Sequence, residues 1–197
     1  MQIEKMQGLE DVLLIHPDIH EDDRGYFYEV FNEKEFNEKT NNKYDFHALQ
    51  ENESKSCKGV FRGLHFQNPP YEQAKLVRVL KGSVVDFAID IRKGSPTFGK
   101  GGTAWLTGEN KCQFFIPRGF AHGFFVLSDE AVFEYKCDNF YNKESEGGIK
   151  WDDKNINIAD DGCSQKTDLP SFISTIYHGD IILSEKDKNR ETTLKDL

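Results

Sequence analysis

The segment Arg62–Gln67 places a histidine, His65, in a short strand-like run that ends just before a Pro-Pro turn. Imidazole is the side chain best matched to proton transfer near neutral pH. Lys75 opens the next predicted strand, and Arg62 stands three residues before the histidine. Because fixed cations stabilise a developing oxyanion, this grouping predicts a reaction that generates one. A structural histidine bonded to the backbone is the competing interpretation of His65 taken alone.

An ideal strand would point Arg62 and His65 to opposite faces, because successive side chains alternate. Gly63 stands between them and offers a way out of this difficulty. A β-bulge at that position would bring both side chains to one face. We therefore predict a bulge at Gly63.

Two further residues could take part in the same chemistry. His122 lies in a Pro/Gly turn that leads into an apolar strand, where it could contact a phosphate or hydroxyl group or merely cap backbone groups. Tyr135 shares a predicted strand face with Ala131 and Phe133, so we expect it to point inward. A buried phenol could act as a general acid or serve as a core tyrosine bonded to the backbone.

The same segments argue against a metal site. Small β-barrels often hold a divalent metal ion through a His-x-His pair, a following Glu and a later His. Here His65 is followed by Phe66 and Gln67, and the ammonium group of Lys75 disfavours a bound cation. With no third strong ligand, the sequence predicts a metal-free site.

Composition excludes several classes of protein. A net charge of −9 argues against nucleic acid as a partner, since a phosphate backbone requires a basic face. No apolar run approaches the roughly 20 residues of a membrane span, and the N-terminal segment does not read as a signal peptide. A cytoplasmic location with reduced thiols is predicted because the four cysteines are scattered without a CxxC pair. They are Cys57, Cys112, Cys137 and Cys163.

The elements that must position these residues are mainly strands. From about residue 60 to residue 141, short alternating runs are separated by turn signals, which favours a closed barrel or jelly roll. The run Val85–Arg92 has a period of two residues and therefore one apolar face. We predict a strand at Val12–His16 and a helical turn at Glu33–Lys39. We also predict one domain over 1–197, irregular structure over 142–180, a polar C-terminal extension from about residue 154 and a solvated tail over 188–197.

Taken together, these runs resemble the dTDP-4-dehydrorhamnose 3,5-epimerase family, a cupin-type group. The resemblance spans roughly residues 10–153 and resumes over 182–187. The resemblance implies a cupin-type double-stranded β-helix, or jelly-roll barrel, with short peripheral helices. The motifs that carry it are Asp23-Arg24-Gly25, Val60–Gln67, Lys75–Val79, Asp90–Gly99, Ile116–Gly123, Gly148–Asp153 and Ile182–Asp187.

The resemblance assigns roles residue by residue. It implies that His65 is the general base, that Asp187 holds its tautomer, that Tyr135 is the general acid and that Lys75 stabilises an enolate oxygen. It implies no cofactor. Phe140 stands where the family usually has a tyrosine, and with Tyr26 it would stack on thymine. Further contacts to nucleotide, diphosphate or sugar are implied for Arg24, Glu29, Gln50, Asn52, Arg62, His122, Glu146 and Lys186.

The activity implied is inversion of C3 and C5 of a dTDP-4-keto-6-deoxyhexose, with the dTDP-sugar as the small-molecule partner. Three alternatives stay open: a 3-epimerase or an epimerase for another 4-keto-6-deoxy sugar nucleotide, a non-catalytic sugar-nucleotide-binding cupin, and a metal-dependent cupin. The resemblance also implies a homodimer in which an N-terminal strand, such as Val12–His16, pairs with the partner. The long polar stretch Ala159–Gly179 departs from the family and could form an extra lid.

Overall fold

The structure, a computed structural model, describes residues 1–158 and 167–197. Within these ranges the first strands and helix are β1 (Gln2–Met6), β2 (Leu9–His16), β3 (His20–Asp22), β4 (Gly25–Phe27), α1 (Glu33–Lys39), β5 (Gln50–Cys57), β6 (Phe61–Gln67) and β7 (Lys75–Lys81). They are followed by β8 (Ser83–Asp90), β9 (Lys100–Thr107), β10 (Gln113–Ile116), β11 (Phe120–Val126), β12 (Glu130–Cys137), β13 (Glu146–Gly148), β14 (Asn157–Ile158), α2 (Leu169–Ile176) and α3 (Glu185–Lys188).

Two six-stranded sheets pack face to face. The first has the order β1-β2-β10-β7-β12-β5, and the second has the order β13-β6-β11-β8-β9-β14. The apolar core between them includes Val77 and Phe133 from the first sheet and Val84 and Phe124 from the second. Strands β3 and β4 form a separate hairpin. The predicted mainly β jelly roll with short peripheral helices is confirmed.

Each sheet also carries an apolar layer on its outer face. On the first sheet, the ring of Phe115 lies 5.0 Å from Phe36 of α1 and 5.4 Å from Phe46, measured between centroids. On the second sheet, Phe87 packs edge-on against Phe172 of α2 at a centroid distance of 5.8 Å. The sheets are therefore covered on both faces over much of their length, so their inner face need not supply the whole apolar core.

Strand β8 shows the consequence for the site. Its alternating sequence predicts one apolar face, but both faces of the strand are buried. Val85, Phe87 and Ile89 face the outer layer, where they pack beneath the C-terminal segment. Asp86 points the other way, toward the interior of the barrel, and is fully buried. The polar side of the pattern thus faces the space between the sheets rather than solvent, and Asp86 contacts His122 there.

The C-terminal segment is more regular than its polar composition indicates. The expectation of irregular structure over 142–180 is wrong at α2, which begins after the capping residue Asp168. Leu169, Phe172 and Ile173 share one face of this helix and are buried against the second sheet. The helix forms because this apolar stripe has a sheet face to cover.

The predicted solvated tail over 188–197 is wrong at Leu194. Leu194 is only 3% exposed, and its backbone N–H donates to the Asp153 carboxylate at 2.7 Å. One apolar residue in a polar sequence is a weak signal, which explains why composition failed to reveal the docking. Residues 159–166, which include Cys163 and part of the expected lid, lie outside the described residues.

Replacing Phe172 with alanine should lower the free energy of unfolding by about 3 kcal/mol, because it opens a cavity between α2 and Phe87. Denaturant unfolding measures this loss. Ser174→Ala on the exposed side of the same helix is the matched control and should change stability little. Equal stability of the Phe172 variant and the native protein would show that α2 does not stabilise the sheet.

The N-terminal strand does not offer the edge that was expected for pairing. Val12–His16 belongs to β2, which pairs with β1 on one side and with β10 on the other. Both of its edges are therefore occupied within the chain, and β1 lies at the edge of the first sheet instead. Among the described helices, none combines the length and apolar character needed to cross a membrane.

Candidate active site

A cavity of about 430 Å³ opens between the two sheets. Strands of both sheets contribute polar side chains to it, and the segment before and within α3 forms one wall. The predicted residues that line it together are His65 and Arg62 from β6, Lys75 from β7, His122 from β11, Tyr135 from β12, and Lys186 and Asp187 from α3.

The bulge predicted at Gly63 is present. Along β11 the pairing advances by two residues, from His122 to Phe124, while β6 advances by three, from His65 to Arg62. This extra residue brings both β6 side chains to the same cavity, as the chemistry requires. Gly63 has a φ of 126°, and a Cβ there would lie 2.6 Å from the Cα of Gly123. Only glycine fits this close approach of the two strands.

His65 forms a hydrogen-bonded pair with Asp187. The imidazole Nε2 lies 2.7 Å from Oδ1 of the carboxylate, whose side chain is only 4% exposed. Burial by itself would raise the pKa of Asp187, but the hydrogen bond and charge of His65, the hydroxyl of Ser184 and the charge of Arg190 bring it below its ordinary value. An anionic Asp187 accepts the Nε2 proton and leaves Nδ1 of His65 without a proton.

Lys75 and Tyr135 face the cavity from the first sheet. The Lys75 ammonium lies 5.9 Å from the centroid of the Tyr135 ring. Burial lowers the pKa of Lys75, against the charges of Cys137, Asp86 and Glu146, which favour the ammonium form. Burial also raises the pKa of the Tyr135 phenol, which keeps its proton at neutral pH.

His122 is not a turn histidine at the rim, because it lies within β11 and is only 7% exposed. Its Nε2 is 2.9 Å and 3.0 Å from the two carboxylate oxygens of Asp86. Burial raises the pKa of Asp86 and lowers that of His122, so the low polarity of the site works against their ion pair. Sequence reasoning missed Asp86. A carboxylate within a largely apolar strand was the available signal.

A second cavity of about 290 Å³ adjoins the first and shares His65, Lys75 and Tyr135 with it. Gln50 and Asn52 line this cavity and are joined by a 3.0 Å hydrogen bond between their side chains. The two cavities together form one cleft with His65, Lys75 and Tyr135 at the junction. Such a cleft suits a ligand with two dissimilar parts.

Tyr141, which sequence reasoning also missed, lines the second cavity. Its backbone N–H donates to Gln50 at 2.9 Å, and its hydroxyl donates to Glu146 at 2.8 Å. The ammonium of Lys186 binds the other oxygen of Glu146. Glu146 therefore links Tyr141 in the second cavity to Lys186 in the first.

Phe140, the ring expected for stacking, lines neither cavity and is 58% exposed. The loop after β12 instead turns Tyr141 toward the second cavity. The stacking of Phe140 on thymine stays a prediction that the position of its ring does not favour.

Three predicted contacts lie apart from the cleft. Arg24 and Tyr26 belong to the exposed β3–β4 hairpin, and Glu29 follows it in an exposed position. Tyr28 fixes this segment by accepting a 3.2 Å hydrogen bond from Arg78, on the outer face of the first sheet. None of the three lines either cavity of its own chain.

The metal expectation can be compared with the geometry only in part. Among residues 1–158 and 167–197, no three His, Cys, Asp or Glu side chains converge as a metal site would need. At the cleft itself, the nitrogen of His65 that faces Asp187 and the nitrogen of His122 that faces Asp86 are already engaged. The ammonium of Lys75 lies in the same cavity and disfavours a bound cation, so this set of side chains suits proton transfer better than metal coordination.

Comparison with known proteins finds the family that the motifs resemble. Residues 6–196 match the family described as dTDP-4-dehydrorhamnose 3,5-epimerase. The enzyme of that name from Shigella flexneri is 57% identical over 148 residues, which cover 75% of this chain and 81% of that protein.

Solved structures agree over the whole chain. The crystal structure of dTDP-4-dehydrorhamnose 3,5-epimerase from Elizabethkingia anophelis has a TM-score of 0.84 at 49% identity, covering 100% of this chain and 97% of that one. The Legionella pneumophila dTDP-6-deoxy-D-glucose-3,5-epimerase, in complex with dTDP-4-keto-L-rhamnose, has a TM-score of 0.84 at 42% identity, covering 98% and 93%.

Proposed function

Because the chain belongs to the dTDP-4-dehydrorhamnose 3,5-epimerase family, we propose that it inverts C3 and C5 of dTDP-4-dehydro-6-deoxyglucose to give dTDP-4-dehydrorhamnose. The observation that carries this is the meeting of a carboxylate-bound histidine, a half-buried lysine and a half-buried tyrosine at one cleft. The test is incubation with that nucleotide sugar in deuterated water. The product should be dTDP-4-dehydrorhamnose with deuterium at C3 and C5, and recovery of unchanged substrate would refute the activity.

The chemistry follows from the 4-keto group, which acidifies the C–H bonds at C3 and C5. Nδ1 of His65 accepts the proton, since Nε2 is engaged by Asp187. The electron pair of the broken C–H bond moves onto O4 as an enolate. Lys75 stabilises that oxyanion with its charge, which the low polarity of the cleft strengthens. The substrate supplies its own electron sink, so no redox group takes part.

Inversion requires that the proton return from the opposite face of the sugar. Tyr135 supplies it, because burial keeps the phenol protonated until the enolate needs an acid. The tyrosinate that remains regains a proton from solvent, and His65 loses the one it took. The same two groups act at C3 and C5 in turn.

The second cavity is our proposed site for the nucleotide. Gln50 and Asn52 supply amide groups, and Tyr141 supplies the ring that stacks on thymine. Lys186 supplies a cation for the diphosphate. Because a carboxylate repels a diphosphate, we assign Glu146 to holding Tyr141 and Lys186 in place rather than to direct contact with the ligand. Arg62 and His122 remain proposed contacts to the sugar.

We also propose that the protein is a homodimer in which the hairpin of each copy completes the cleft of the other. Arg24, Tyr26 and Glu29 are exposed and held away from their own cleft. Tyr26 is 57% exposed and Phe27 is 73% exposed, and adjacent exposed rings are typical of a surface that binds another protein. Arg24, Tyr26 and Glu29 offer a guanidinium, a ring and a carboxylate, which can contact the nucleotide, the diphosphate or the sugar of the substrate.

Complementation between two impaired variants tests this arrangement. A chain carrying Arg24→Ala and Tyr26→Ala should show a raised KM, while His65→Gln should be inactive. Co-expressed mixed dimers should regain activity, because one of their clefts combines an intact His65 with an intact hairpin. Activity of the purified mixture no greater than the sum of the separate variants would contradict the shared site.

Tyr135→Phe should separate the two halves of the reaction. Without the phenol, His65 still removes and returns protons on its own face, so deuterium should enter the substrate while inversion falls about 100-fold or more. NMR of recovered substrate and product measures both rates. Tyr71→Phe, outside both cavities, is the control. Unaltered inversion in the Tyr135 variant would remove this residue from the mechanism.

A further inference from the structure

The orientation of Asp187 depends on a very short element. Helix α3 has only four residues, Glu185–Lys188, and its last turn is followed by irregular chain. A single helical turn has little stability of its own, because forming the first turn fixes several residues for one hydrogen bond. Something outside the helix must therefore hold the Asp187 carboxylate against His65.

Ser184 holds both the backbone and the side chain of Asp187. Its Oγ accepts the backbone N–H of Asp187 at 3.1 Å and donates its own proton to Oδ2 of the carboxylate at 2.8 Å. The other carboxylate oxygen, Oδ1, accepts from His65 at 2.7 Å. With one oxygen bound on each side, the carboxylate cannot rotate without breaking a charge-assisted hydrogen bond.

The segment before Ser184 is anchored to the strand that carries His65. Ile182 forms a parallel bridge with Val60, its N–H donates to Gly59 at 2.8 Å, and its carbonyl accepts from Phe61 at 3.0 Å. Phe61 is the first residue of β6. Ser184 is thus the link between this anchored backbone and the carboxylate, so that both ends of the segment are fixed relative to the same strand.

The charges around the pair favour an anionic carboxylate. Arg190 contributes a positive charge to Asp187, and its guanidinium lies over Gly148, which pairs with His65 in the sheet. Glu146 and His122 are the other titratable groups that interact with His65, whose charge helps to lower the pKa of each. The charge of Arg190 attracts the Asp187 carboxylate without orienting it, whereas the hydrogen bond from the Ser184 hydroxyl orients it.

We propose that Ser184 is a positioning residue for catalysis, which holds Asp187 in the orientation that presents Nδ1 of His65 to the sugar. The inference rests on the proposed role of His65 as the base. Ser184 acts through Asp187 and need not touch the reacting carbon atoms.

Three substitutions separate this role from helix capping. Ser184→Gly removes the hydroxyl but costs a helix cap only a few tenths of a kcal/mol, whereas Ser184→Ala removes both functions. Ser184→Thr keeps the hydroxyl, and the exposed position leaves room for its methyl group. We expect kcat to fall about tenfold or more in the Gly and Ala variants with KM nearly unchanged, since a misaligned base slows only the chemical step. The Thr variant should restore kcat.

Thr193→Ala is the matched control, because the Thr193 hydroxyl also donates to a carboxylate three residues later, that of Asp196, at the short 3-10 helix Leu194–Asp196. It should alter the melting temperature and leave kcat unchanged. Native kcat in Ser184→Gly would overturn the positioning role, and so would a threonine variant as slow as the glycine one. These results are distinct from a failure of the proposed role of His65, which would appear as undiminished activity in His65→Gln, and from a failure of the proposed function, which would appear as unchanged substrate with the native protein.

Discussion

Replacing His65 with glutamine is expected to reduce kcat by about 10³-fold or more, because the variant has no group that accepts a proton near neutral pH. Glutamine is the sharpest choice of substitution. Its amide N–H can take the place of Nε2 as the donor to Asp187, so the buried carboxylate keeps a partner. Steady-state turnover of dTDP-4-dehydro-6-deoxyglucose measures the loss.

Binding should survive this change. Affinity for dTDP, measured by calorimetry, should stay within about threefold of the native value, since the proposed nucleotide contacts Gln50, Asn52 and Tyr141 are unchanged. His47→Gln is the control at an exposed histidine that pairs with Glu33, remote from the cleft. If the His65 variant kept more than a tenth of native kcat, another residue would have to be the base.

Replacing Lys75 with methionine should lower kcat by about 10²- to 10³-fold, the range found when one oxyanion-stabilising donor is removed. Methionine has a similar length and suits a buried site, so the fold should be preserved. Lys81→Met at the exposed end of the same strand is the control, and it loses only an ion pair with Glu130. Native turnover in Lys75→Met would show that the enolate is stabilised elsewhere.

The pH profile gives a second test of Lys75. Burial lowers its pKa from the ordinary value of 10.5. The ammonium form stabilises the enolate, so activity is full below the lowered pKa and is lost as the pH rises through it. The native enzyme should therefore show an alkaline limb in kcat, and Lys75→Met should lack that limb. Identical limbs in both proteins would assign the titration to another group.

The strands could be predicted from the sequence where the two-residue alternation of apolar side chains and the turn signals agreed. Alternating residues between Gly-rich turns predicted the strands, and Gly63 between two residues that had to share a face predicted its bulge. The packing direction of β8 was not readable, because alternation reveals that two faces differ but not which one meets a second apolar layer. That layer comes from α2 and Leu194, whose apolar residues are distant in sequence and few.

The sequence predicted the principal side chains that meet in the cleft, but not several of the residues around them. His65, Lys75, Tyr135 and Asp187 meet as expected, despite the long segment that precedes α3. Tyr141 was missed because adjacent rings in a loop cannot be ranked without the backbone path. Asp86 was missed because it acts on His122, which is distant in sequence. Ser184 was missed because its spacing from Asp187 does not reveal the hydrogen bond between its hydroxyl and the carboxylate.

Direct observation of proton exchange tests the central claim that the imidazole of His65 takes the hydrogen from the keto sugar. Native protein and His65→Gln would each be incubated with the dTDP-sugar in deuterated water, and NMR would follow the signals at C3 and C5. We predict loss of both signals with the native protein and no loss above the enzyme-free control with the variant. Deuterium entering at either carbon at a native rate in the variant would contradict the mechanism.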